Sequence, residues 1–142
     1  MQEAIYHLFD DGPVAVAPYS HAVQAGDWLF VTGQMPMLED GTVPEGIEAQ
    51  TETVVGNLRS VMEKAGFADA DIVSARVFLT RFETHYERMN AVYAALFPPG
   101  RRPARTCVGV TALARGCDVE IDFVVRRKPQ AAAISAPREA AA

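Results

Sequence analysis

Between Ile47 and Gly100 the spacing of apolar residues switches between two periods, and that switching restricts the fold more than any other feature of the chain. Ile47, Thr51, Val54, Val55, Leu58, Met62 and Ala65 recur at three- and four-residue intervals, which places them along one stripe of a helix. Gly66 follows directly, the expected stop where a left-handed residue is wanted. Residues 72–80 then alternate, with Val73, Ala75, Val77 and Leu79 on one face and Ser74, Arg76, Phe78 and Thr80 on the other. Phe82, Tyr86, Met89, Tyr93 and Leu96 return to helical spacing, and Pro98, Pro99 and Gly100 end that helix.

Strand patterns flank this centre. Trp28 to Thr32 is a β-branched and aromatic run ending on Gly33, preceded by a strand end and turn over Val23 to Asp27. Glu39 to Pro44 is a loop rich in turn residues, and two further strands are expected at Arg105–Thr111 and Asp118–Val125. The order is strands, helix, strand, helix, strands. It predicts an α+β fold, an α/β sandwich of one mixed, mostly antiparallel sheet with two helices on a single face. Residues 1–128 are expected to form one domain, followed by a low-complexity tail, 129–142, expected to be disordered.

A chain of 142 residues is long enough to bury a real core but short for two domains. Its 13 lysines and arginines face 18 aspartates and glutamates, a net charge of −5, which argues against the basic footprint of a nucleic-acid binder. No secretory signal pattern opens the chain, and no apolar run has the length of a membrane span. Cys107 and Cys117 form neither a CxxC pair nor a disulfide framework, so a reducing, cytoplasmic setting is expected. His7, His21 and His85 are far apart without ligand spacing, and no metal is expected.

The last two strands can be read as a hairpin around residues 112–117. Thr111 then lies opposite Asp118, Gly109 opposite Glu120, Cys107 opposite Asp122 and Arg105 opposite Val124. In this register Arg105, Cys107 and Gly109 share a helix-free face with Glu120 and Asp122. Thr106, Val108 and Val110 join Val119, Ile121, Phe123 and Val125 beneath the helices. A partly apolar sheet face without helices suggests burial against another subunit. On pattern alone, Arg105 and Glu120 fit an interface salt bridge as well as they fit a ligand site.

Several segments resemble the RidA (YjgF) family of small trimeric deaminases. They are Ala17 to Val23 (APYSHAV), Leu29 to Pro36 (LFVTGQMP), Glu48 to Thr51 (EAQT), Lys64 to Gly66, Val77 to Thr80 (VFLT), Met89 to Tyr93 (MNAVY), Pro103 to Val108 (PARTCV) and Val119 to Asp122 (VEID). The resemblance implies the chorismate mutase-like/RidA fold and a homotrimer with active sites in the clefts between subunits. It also implies hydrolysis of reactive 2-imino acids and their enamine tautomers to 2-oxo acids and ammonia, with no cofactor.

Family roles fall on matching residues. Arg105 would bind the substrate carboxylate bidentately, Glu120 would hold or activate the attacking water, and Tyr19 would close the pocket. Gly33 would offer backbone groups, Thr32 a hydroxyl where serine is more common, Asn90 an amide from the second helix, and Cys107 would line the wall. The first sixteen residues depart from the family's usual opening. His21 stands where glutamine is common, either near the cleft or as a surface donor. Asp122 replaces the usual glutamate, and Phe123 a small residue. Two other activities use the same residues: deamination of a specific catabolic enamine of aminomuconate or aminoacrylate type, and carboxylate capture by a non-catalytic trimeric module.

Overall fold

In the computed structural model, which describes residues 3–128, the first helical stripe forms α1 (Ile47–Lys64) and the second α2 (Phe82–Leu96). Six strands accompany them: β1 (Ile5–His7), β2 (Ala22–Ala25), β3 (Trp28–Gln34), β4 (Ile72–Leu79), β5 (Ala104–Gly109) and β6 (Val119–Arg126). The expected tail at 129–142 lies outside the described residues. Helix α1 stops through a Schellman arrangement. The Gly66 N–H donates to the Glu63 carbonyl (3.0 Å) and the Phe67 N–H to the Met62 carbonyl (2.9 Å), with Gly66 at φ 86°. Phe67 is buried against the core as the motif requires.

The strands form one sheet in the order β1-β2-β3-β6-β4-β5, antiparallel at every junction except β4–β5, which is parallel. Both helices cover one face. Val54, Val55, Leu58, Val61 and Met62 of α1 and Met89 and Tyr93 of α2 are buried with Leu29, Val31, Ala75, Val77, Leu79, Val119, Ile121, Phe123 and Val125 of the sheet. The apolar face of β6 is fully buried, as suits a strand at the centre of the sheet.

The expected hairpin between the last two strands does not form. β4 lies between β5 and β6, because α2 acts as a crossover that returns the chain parallel to β4. The partner of Arg105 is therefore Ala75 and not Val124; Cys107 lies opposite Val77 and Gly109 opposite Leu79. Ala75, Val77 and Leu79 point beneath the helices, so Arg105 and Cys107 point there too. The assignment of Arg105, Cys107 and Gly109 to the helix-free face is thus reversed. Glu120 and Asp122 do lie on that open face, opposite Phe78 and Arg76. Thr106 and Val108 lie on the open face rather than in the core, and Val108 is 42% exposed.

Strand β1 was not expected from the sequence; it is three residues long and two of them are exposed. His21 ties the segment after it to the sheet. The buried imidazole accepts from the Phe9 N–H at Nδ1 (2.9 Å), donates to the Pro13 carbonyl from Nε2 and stacks on the Phe9 ring. It is a strut, neither a cleft residue nor a surface donor. His21→Ala is expected to cost about 3 kcal/mol, from two buried hydrogen bonds and the lost ring. A thermal melt should register this as a fall of roughly 10 °C, and a fall below about 3 °C would show that residues 9–13 hold themselves.

Candidate functional site

Arg105 starts from an edge strand, and α2 supplies the surroundings of its guanidinium. Nη1 donates to the Asn90 Oδ1 at 2.8 Å, and the guanidinium lies 4.8 Å from the Tyr93 ring centroid and 6.0 Å from that of Tyr86. Asn90 and Tyr93 lie three residues apart, on one side of α2, the spacing that lets both meet one group. Stacking on aromatic faces suits a guanidinium, which is weakly hydrated and planar. The side chain is half-buried and forms no ion pair among the described residues. By contrast, Arg59, Arg76, Arg81 and Arg88 are each paired to a carboxylate. Arg105 opens on a cleft of about 260 Å³ lined by Asn90, Tyr93, Ala94, Arg102, Pro103 and itself.

Cys107, two residues along the strand on the same face, packs against the core. Burial pushes its thiol up, and nearby Arg105 offsets this only in part, so at neutral pH it stays protonated. That suits a lining residue and not a nucleophile.

A second group of expected site residues gathers around β3. Thr32 and Gly33 fall where the β3–β6 register shifts between Val31 and Gln34. The Thr32 hydroxyl donates to the Ser20 carbonyl at 2.5 Å, and the Tyr19 hydroxyl next to it in the chain accepts from the Val16 N–H at 3.3 Å. Glu120 lies directly over Gly33. A Cβ at that glycine would stand 2.5 Å from the Glu120 Oε2 and 3.2 Å from its Cδ, so only glycine admits the carboxylate there. Burial, and then the charge of Asp122, raise the Glu120 carboxyl above the ordinary range. Asp122 itself is held by a bidentate pair with Arg76, at 2.6 to 3.1 Å.

The expected site residues therefore form two groups. Arg105, Asn90 and Cys107 lie on the helix side of the sheet; Glu120 lies on the open face over Gly33, with Tyr19 and Thr32 in the neighbouring segments. The sheet separates Arg105 from Glu120, so one chain does not bring both to one small molecule. Tyr86, Tyr93, Arg102 and Pro103 border Arg105 without being among the expected site residues. The signal for Tyr86 and Tyr93 is their place on the α2 stripe, a pattern that core packing alone also produces.

The Endoribonuclease L-PSP family matches residues 9–127. Protein HMF1 of Saccharomyces cerevisiae is 33% identical over 122 residues, 85% of this chain and 93% of that protein. The 2-iminobutanoate/2-iminopropanoate deaminase of Escherichia coli is 31% identical over 122 residues, 84% of this chain and 94% of its own. The crystal structure of Escherichia coli TdcF with bound serine superposes with a TM-score of 0.81 at 27% identity, covering 87% of this chain and 99% of that one. With two helices on one face of a six-stranded mixed sheet and the motifs from Ala17 to Asp122 in place, this chain belongs to the Endoribonuclease L-PSP family, the RidA (YjgF) family that its sequence resembles.

Proposed function

We propose that the protein is a hydrolytic deaminase of reactive 2-imino acids and their enamine tautomers, such as 2-iminopropanoate and 2-iminobutanoate. The observation that carries this reading is the guanidinium of Arg105, held by Asn90 and two tyrosine rings over a small cleft with no carboxylate partner among the described residues. A cation fixed in this way is suited to bidentate capture of a substrate carboxylate. Glu120, whose carboxyl is raised by burial, is suited to take a proton from water.

In the step itself, water oxygen adds to the imine carbon and one water proton passes to Glu120. Nitrogen takes up protons, the C–N bond breaks and ammonia leaves as the C=O of the 2-oxo acid forms. No electrons are gained or lost. Such imines hydrolyse unaided, so fixing the carboxylate and placing one water account for most of what is asked of the protein.

Because Arg105 and Glu120 leave opposite faces of the sheet, the reading requires a second copy, with sites shared between subunits of a homotrimer. The open face supports this. Phe30 is 49% and Val108 42% exposed there, and half-buried Phe78 and Val124 lie between them. A face of that composition suits burial against another chain. The proposed setting is the cytoplasm, where Cys107 and Cys117 stay free thiols. Among the described residues no helix is long and apolar enough to cross a membrane. The RNA cleavage in the family's name finds little support here. On the open face, Arg76 is already paired to Asp122, and a net charge of −5 provides no phosphate track.

The test mixes purified protein with a threonine dehydratase and threonine, and follows 2-oxobutanoate. The protein should speed its release beyond spontaneous hydrolysis of the imine; an unchanged rate at micromolar protein would overturn the reading. In the same assay Gly33→Ala should lower kcat by about 10- to 100-fold, because the added methyl displaces the Glu120 carboxylate. The fold should persist, since the displaced atoms are the tip of a flexible side chain. Unchanged kcat would show that the placement of Glu120 is not used.

A further inference from the structure

A second arginine opens on the cleft of Arg105. Arg102 donates from Nε to the Phe97 carbonyl (2.8 Å) and from Nη2 to the Ala94 carbonyl (3.3 Å), which fixes its guanidinium at the end of α2 and leaves Nη1 without a partner among the described residues. Arg105 is likewise fixed along one edge, by Asn90. Neither forms an ion pair among the described residues. Two cationic side chains, half-buried Arg105 and exposed Arg102, therefore line one cleft of about 260 Å³ together with Asn90, Tyr93, Ala94 and Pro103. Buried Pro103, with its fixed φ, stiffens the short link between the two arginines. Two cations lining one cleft give it a positive potential that suits an anion with two charged groups, and a ligand with one carboxylate meets only one of them.

We propose that this cleft selects 2-imino acids bearing a second carboxylate, those formed from acidic amino acids, with Arg105 taking the carboxylate beside the imine and Arg102 the distal one. This rests on the deaminase reading for its chemistry, but the pairing of two arginines in one cleft is a separate observation. It makes Arg102 a specificity residue, distinct from a plain cap of the α2 C-terminus. A cap would alter stability and affect every substrate alike, whereas a specificity residue alters the ratio between substrates.

The experiment compares two imines made in place: iminosuccinate from aspartate and an aspartate oxidase, and 2-iminobutanoate from threonine and a dehydratase. Wild type should have the higher kcat/KM on iminosuccinate. Arg102→Gln should lower that value at least 10-fold and change the value for 2-iminobutanoate less than 2-fold, and Arg102→Lys should recover part of the loss. Equal losses on both imines, or no loss on either, would overturn the proposal, as would a wild type that hydrolyses 2-iminobutanoate but not iminosuccinate. In that last case the deaminase reading stands and only the selectivity falls. Calorimetric titration with 2-oxoglutarate and 2-oxobutanoate provides a readout independent of turnover. Binding of the dicarboxylate that is stronger, and weakened by Arg102→Gln, supports the cleft assignment even if neither imine is hydrolysed; equal binding of the two 2-oxo acids counts against it.

Discussion

Replacing Arg105 with alanine should lower kcat/KM for 2-iminobutanoate by about 100- to 1000-fold, because two charge-assisted hydrogen bonds to the substrate carboxylate disappear. Most of the loss should be in KM. The carboxylate has the same charge in substrate and transition state, so its anchor contributes largely uniform binding. Arg105→Lys should restore little, since an ammonium on a flexible stem can neither stack on the Tyr93 ring as a plane nor present two parallel donors. Steady-state kinetics on folded variants, checked by circular dichroism, would decide this. If Arg105→Ala matched wild type, the carboxylate would have to bind elsewhere and the site assignment would fail.

Glu120→Gln should act in the opposite way, lowering kcat by about 100-fold or more with KM little changed, because it removes a proton acceptor and not a substrate anchor. The pH dependence follows from the raised carboxyl. Activity needs the ionised form, so kcat/KM should fall as pH drops through a pKa displaced above 4.5, the ordinary value. Burial is the larger cause of the displacement and Asp122 the smaller. Asp122→Asn should therefore move the acid limb downward, and more so because it leaves Arg76 as an unpaired cation nearby. An acid limb that survives in Glu120→Gln would assign the titration to another group.

How far the sequence could be read depended on how local each feature was. Helix α2 begins and ends where its apolar stripe and Pro98, Pro99 and Gly100 place it, and α1 stops at the glycine that forms its cap. The segments that carry Arg105 and Glu120 form strands, as their patterns predict. Strand pairing was missed because it is decided between distant segments. Two local signs pointed away from a hairpin. The stretch 110–118 is longer than the two to five residues that commonly close one, and an amphipathic helix between two strands is the usual form of a parallel crossover. The wrong partner then placed Arg105 on the wrong face. A parallel partner, with Ala75 and Val77 in its core-facing set, would have placed it beneath α2. Strand β1 was too short and too exposed to leave a period at all.

The division of the site by the sheet has a genetic consequence. Arg105 with Asn90 belongs to the β4–α2–β5 crossover, whereas Glu120 and Gly33 belong to β6 and β3. If each site takes its arginine from one subunit and its carboxylate from the next, two impaired alleles can rescue one another. Arg105→Ala and Glu120→Gln chains, unfolded together and refolded as mixed oligomers at equal amounts, should regain about a quarter of wild-type activity, the chance that both contributing subunits are intact at a given site. Either variant refolded alone should keep no more than about a hundredth of the wild-type kcat/KM. A cell carrying both alleles would then keep a function that each allele separately has lost.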